Sequence, residues 1–249
     1  MKFKALILSC LAVCTTYSCP AIFVPTRGDL AQYNGNSEYV MVASTGRSGS
    51  TMLTDRLCKY LPEQYVLKSH LLPPSKAYKG KILFVFSSPD QTAESTLYMA
   101  LHVKNFGVHH FANVETSSIA WRRNPSMITN PDAKHNLFTF DALGLERHLQ
   151  VWLHTGVVPA SVDEAQILAL KYENLWDEET VEAIRSFLKI PEFTLPEWRP
   201  RGHQDLTEKE IELRKAHNVG TEEEPIYRAY DKARALWEQA PAFEFFKIK

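Results

Sequence analysis

The sequence predicts a three-layer α/β fold, with a central parallel sheet flanked by helices. Three observations carry that prediction. Apolar β-type runs alternate with helical stretches along most of the chain. One of the runs, Lys81 to Phe86 (KILFVF), is apolar nearly throughout, as a strand covered on both faces should be. The first run passes through a small polar turn directly into a helix, VMVASTGRSGSTMLTDRL from Val40 to Leu57. Strand, small-residue turn and helix together make a phosphate-loop layout, so the expected fold is of the P-loop type.

At 249 residues the chain is long enough for one such domain with a full core, assigned to residues 36–249. A net charge of −1 gives no global basis for nucleic-acid binding. Residues 1–24 stand apart, with Lys2 and Lys4, an apolar run from Ala5 to Cys14, and no acidic residue before Asp29. This reads as a signal peptide or a membrane anchor. The expected location is therefore exported or lumenal, with membrane attachment only if the segment stays uncleaved. Three of the four cysteines lie in that segment, which leaves Cys58 alone in the domain, expected in buried packing.

The elements follow in order. Tyr39 to Ala43 is the first strand. Leu53, Leu57 and Leu61, four apart, give the helix from Ser50 one apolar face. Tyr65 to His70 is the second strand and Lys81 to Phe86 the third. Ser88 is placed to cap the next helix, with Pro89 at its first position and Gln91 closing a capping box; that helix should run to about His102. Residues 103–135 are rich in Asn, Ser, His and Pro and read as loop. Asp141 to His154 reads as helix and Ala165 to Tyr172 as another buried strand. Asp177, Glu178 and Glu179 suit the first turn of a helix with Val181, Ile184, Phe187 and Leu188 on its inner face. Helical stretches at 207–216 and 224–239 end the chain.

Ligands of such sheets sit at the carboxyl ends of the strands. Three polar clusters fall there: Thr45–Thr51, Lys68–His70 and Ser87–Ser95. The first offers the backbone N–H groups of Gly46, Gly49 and their neighbours, and a helix N-terminus, to an anion. Arg47 adds a forked cation, and Thr45, Ser48, Ser50 and Thr51 add hydroxyls. Lys68 and His70 are two apart, so on a strand both point to one face. A histidine titrates near neutrality and can take a proton from an acceptor hydroxyl. Lys68 and Arg47 are placed to stabilise negative charge on a transferring group. Glu173 reads as orienting or structural. Phe138, Phe140, Trp121 and Trp152 read mainly as core, and Arg122 and Arg123 mainly as solvated surface. No His, Cys or acidic cluster has ligand spacing, so no metal is expected.

TGRSGSTML (Thr45 to Leu53) resembles the 5′-phosphosulfate loop of sulfotransferases that use 3′-phosphoadenosine 5′-phosphosulfate (PAPS). KSHLLP (Lys68 to Pro73) is similar to the family's segment bearing the catalytic histidine. KILFVFSSPDQTAES (Lys81 to Ser95) resembles the strand and helix carrying its RxPxxxxxS pattern for the 3′-phosphate. LKYENL (Leu170 to Leu175) and FLKI (Phe187 to Ile190) resemble two later segments, and WRPRGH (Trp198 to His203) is similar to the family's late glycine- and basic-rich closure. The resemblance spans about residues 38 to 190. It implies PAPS as co-substrate, held by the Thr45–Thr51 loop, Ser87, Ser95, Arg201 and Gly202, with His70 as base. It also implies a small-molecule, lipid or glycan acceptor. The chain departs from the pattern at Ser87, where the family has arginine; a hydroxyl cannot replace that charge. The rival readings are a P-loop small-molecule kinase, which the missing GK[ST] disfavours, and a non-catalytic nucleotide-binding relative.

Overall fold

The computed structural model describes residues 21–61, 65–102, 130, 136–198, 208–216 and 228–249. They form a seven-stranded sheet between two layers of helix, which is the predicted three-layer architecture. In chain order the strands are β1 (Ile22–Val24), β2 (Val40–Ser44), β3 (Val66–Ser69), β4 (Lys81–Phe86), β5 (Val157–Pro159), β6 (Ile167–Lys171) and β7 (Phe243–Ile248). The helices are α1 (Arg27–Ala31), α2 (Ser50–Leu57), α3 (Pro89–His102), α4 (Leu145–Gln150), α5 (Glu178–Leu188), α6 (Glu208–Ala216) and α7 (Asp231–Gln239).

The strand order is β1-β3-β2-β4-β6-β7-β5. The first five in that order run parallel, in register pairs such as Val42 with Lys68 and with Leu83. β7 is antiparallel to both β6 and β5, so the sheet is mixed at one side rather than parallel throughout. The final helix does not end the chain: FEFFKI goes back into the sheet. β1 and α1 also lie upstream of the expected domain start, and Val24 and Leu30 are buried.

Strand periodicity splits the core in two. Met41, Ala43, Ile82, Phe84 and Phe86 face α3, α4 and α7; Val42, Leu83, Val85, Leu168 and Leu170 face α2 and α5. On α5 the buried positions are Thr180, Ala183, Ile184 and Phe187, so the inner face sits one residue earlier at its start than the apolar pattern indicates. The expected helix over 141–154 starts later, at Leu145, and changes type part-way. Asp141 accepts N–H bonds from Leu145 and Glu146 and so caps α4, which then widens into a π-helical turn over Val151–Thr155. Burial holds the Asp141 carboxyl above its ordinary range against those bonds. α2 stops at Leu57, short of Leu61, and Cys58 at its end is half-buried.

β2 leads into α2 on one face of the sheet and its neighbour β4 leads into α3 on the other, so the two connections diverge at the carboxyl edge, where the loop of residues 45–49 lies.

Candidate functional site

The loop is built by three left-handed residues, Gly46 (φ 86°), Arg47 (φ 53°) and Gly49 (φ 80°). Arg47 is a non-glycine residue in a region that side chains disfavour, a feature common at functional sites. Gly49 precedes α2 and makes no side-chain cap, so no capping side chain stands over the first N–H groups of that helix. Those donors are available to an anion. Glycine is required at 49 for a second reason: a Cβ there would lie 2.3 Å from Cε2 of Tyr172, whose ring closes over the loop from the end of β6.

The hydroxyls divide their roles. Ser48 is fully buried and donates to the Val85 carbonyl at 2.9 Å, so its side chain ties the loop to β4. Ser50 is buried at the start of α2. Thr51 accepts a bond from the Lys68 ammonium at 2.6 Å. Thr45 is buried, and its hydroxyl has no hydrogen-bond partner among the described residues. An orphaned buried hydroxyl costs free energy that a ligand oxygen would recover.

Two cations stand at the loop. Arg47 donates from Nε to the Ser95 hydroxyl of α3 at 3.0 Å. Burial lowers the Lys68 ammonium below its ordinary value; Asp55 opposes that effect and the Arg47 charge adds to it. Lys68 lies on β3 as expected, and His70 follows one residue past the strand end. The His70 Nδ1 lies 2.9 Å from the Ser44 hydroxyl and 3.1 Å from the Ser44 carbonyl. Phe23 on β1 packs beside the imidazole, with ring centroids 6.2 Å apart. The backbone beyond His70 is held by Trp152, which is stacked on Phe84 and donates its indole N–H to the Leu71 carbonyl at 3.2 Å.

The third cluster pairs both within itself and with distant residues. Ser87 is buried with its hydroxyl 3.1 Å from that of Thr92. α3 begins at Pro89 as expected, but the capping box is completed from afar. The Ser88 N–H donates to Glu173 Oε1 at 2.9 Å, and Glu173 Oε2 accepts from the Trp237 indole at 3.4 Å. Asp90 and Glu94, one turn apart on α3, pair with Arg234 of α7 and Arg214 of α6.

Thus Arg47, Ser95, Lys68, Thr51 and His70 gather around one loop. Arg201, Gly202, Arg122, Arg123 and Trp121 lie outside the described residues. Phe138 and Trp152 are core, while Phe140 is exposed. Sequence reading missed two contributors, Ser44 and Tyr172 as the loop's cover, while Glu173, read as orienting or structural, caps α3. For Ser44 the available signal was its position, the last strand residue before a glycine-containing turn. Among the described residues no group of three or more His, Cys, Asp or Glu side chains is arranged to hold a metal ion.

No protein-family model matches the chain, and no curated protein matches it. Among solved structures it is similar to mouse sulfotransferase SULT7A1 complexed with PAP, at 14% identity and a TM-score of 0.40, over 85% of this chain and 78% of that one. A likeness of that degree says nothing about chemistry, which has to come from the side chains.

Proposed function

We propose that the protein is a sulfotransferase that moves a sulfuryl group from PAPS to a hydroxyl (or amine) of a small-molecule, lipid or glycan acceptor. The observation that carries this reading is a histidine anchored through Nδ1 beside an anion loop that also carries Arg47 and Lys68. The acceptor O–H gives its proton to His70 Nε2 as its oxygen bonds to sulfur. The bond from sulfur to the 5′-phosphate oxygen breaks, and 3′-phosphoadenosine 5′-phosphate (PAP) leaves. Lys68 and Arg47 stabilise the charge spread over the sulfuryl oxygens and the leaving phosphate. The buried cost of the Lys68 charge favours this use, since an arriving anion offsets it. Arg47 reaches Ser95 and so brings cationic charge to the side of the site where Ser87 brings none. Arg201 and Gly202 would close over the nucleotide.

Sulfate transfer from radiolabelled PAPS to a mixed acceptor panel tests the reading. Transfer is expected, with His70→Ala slower by about 10²–10⁴-fold. Undiminished turnover in that variant would remove His70 as base. Calorimetry should show PAP binding without magnesium; tight magnesium-dependent ATP binding with no PAP binding would instead establish a kinase. A second reading, a nucleotide-binding relative without turnover, is favoured by the Ser87–Thr92 pair, and PAP binding without transfer would establish it.

We further propose that the N-terminal segment acts as a signal peptide or membrane anchor, ending before β1 rather than at residue 24 because Ile22–Val24 pair with β3, and that it places the enzyme in an exported or lumenal compartment. Such a location requires that donor be delivered there. Among the described residues no helix is long and apolar enough to cross a membrane.

A further inference from the structure

We propose that Ser44 is a positioning residue that sets which nitrogen of His70 carries the proton and ties that histidine to the anion loop. The inference rests on His70 being the base. A backbone carbonyl can only accept a hydrogen bond. The Ser44 carbonyl lies 3.1 Å from His70 Nδ1, so a lone pair on Nδ1 would face the lone pairs of that oxygen. The arrangement is attractive only when Nδ1 bears the hydrogen. The neutral ring then has its lone pair on Nε2, the nitrogen a base must use.

The Ser44 hydroxyl, 2.9 Å from the same nitrogen, is the second arm of this acceptor pair. It also accepts the N–H of Gly46 at 3.2 Å. One oxygen with two lone pairs therefore serves both the base and the first left-handed residue of the loop. Ser44 is fully buried, so water does not compete for either bond. Its place as the last residue of β2, paired with β4 and one residue beyond the last β2–β3 pair, fixes the hydroxyl on a rigid element. Free histidine in water prefers the opposite tautomer, with the hydrogen on Nε2. The Ser44 carbonyl opposes that preference, and the hydroxyl adds the bond that fixes the ring in place.

The test is nitrogen-15 NMR of the full chain carrying labelled histidine, with the His70 signals assigned by their loss in His70→Gln. Above the pH at which the ring becomes neutral, wild-type His70 should show a protonated Nδ1 and an unprotonated Nε2. Ser44→Ala keeps the carbonyl and should keep the Nδ1–H form, but it removes the side-chain bond, and so should move the His70 Nδ1 resonance, move the Gly46 amide resonance, and lower kcat for sulfate transfer at least tenfold. Ser44→Thr, which keeps the hydroxyl, should restore all three. A protonated Nε2 in the wild type overturns the proposal without any variant. So does a Ser44→Ala spectrum identical to that of the wild type. If the tautomer and the Ser44→Ala resonance shifts are as expected and no sulfate is transferred from PAPS, the positioning stands and the sulfotransferase reading falls.

Discussion

Gly49 shows how tightly single residues constrain this loop. It needs a positive φ, and its missing Cβ leaves the space that the Tyr172 ring fills. An alanine there should cost about 1–2 kcal/mol in backbone strain and about 1–3 kcal/mol in overpacking. Chemical denaturation of Gly49→Ala should therefore report a loss of about 2–5 kcal/mol. Adding Tyr172→Ala should return the packing share but not the backbone share, so the two changes should be non-additive. Strict additivity would mean that the ring does not close on the loop. The glycine was legible in the sequence because small residues between a strand and a helix have few other uses. Tyr172 was not, because its contact joins two strand ends far apart in the chain. The same holds for Arg47. Its charge was plain from the sequence, but its reach to Ser95 was not, since that depends on a left-handed backbone at residue 47.

At the scale of elements, α3 is tied to several distant parts of the chain by polar contacts. Its start was readable from Ser88 and Pro89, but its cap comes from Glu173, beyond β6, which local spacing cannot reveal. Its exposed side is fixed by ion pairs to two later helices. Arg234 makes a two-pronged pair with Asp90, with Nε and Nη2 at 2.7 and 2.8 Å from the two carboxylate oxygens, and also binds Asp231. These bonds raise the Arg234 guanidinium above its already high ordinary value, led by the bond to Asp90. The pair is mostly shielded, at 19% and 26% exposure, whereas Lys247 and Glu164 are 47% and 65% exposed. Shielded, bidentate pairs outweigh solvated ones. Arg234→Ala should therefore destabilise the protein by about 1–3 kcal/mol, and Lys247→Ala by about 0.5 kcal/mol or less. Equal losses in urea melts would show that docking of α7 on α3 does not depend on this pair.

At the scale of the molecule, the parallel half of the sheet was legible and the antiparallel side was not. β2, β4 and β6 announce themselves as apolar runs followed by helix, and β3 as the run that follows α2, because parallel neighbours need a crossover between them. β7 breaks that grammar. It follows α7 and takes a place between β6 and β5 that only the assembled sheet defines. Its alternation is also blurred by three phenylalanines in FEFFKI, of which Phe246 joins one core layer while Phe243 and Phe245 pack against the other. An interior strand cannot be removed as an edge strand can. Deleting residues 241–249 would strip the antiparallel partner from β6, detach β5, and expose the apolar row from Ile167 to Leu170 as a new sheet edge. The truncated chain is expected to lose its cooperative thermal transition and to associate in size-exclusion chromatography. Deleting residues 1–24 instead removes only the three-residue edge strand β1 from the sheet and should leave a cooperative, lower-melting fold. If the C-terminal deletion melts as cooperatively as the full chain, β7 is an accessory strand and the core ends at β6.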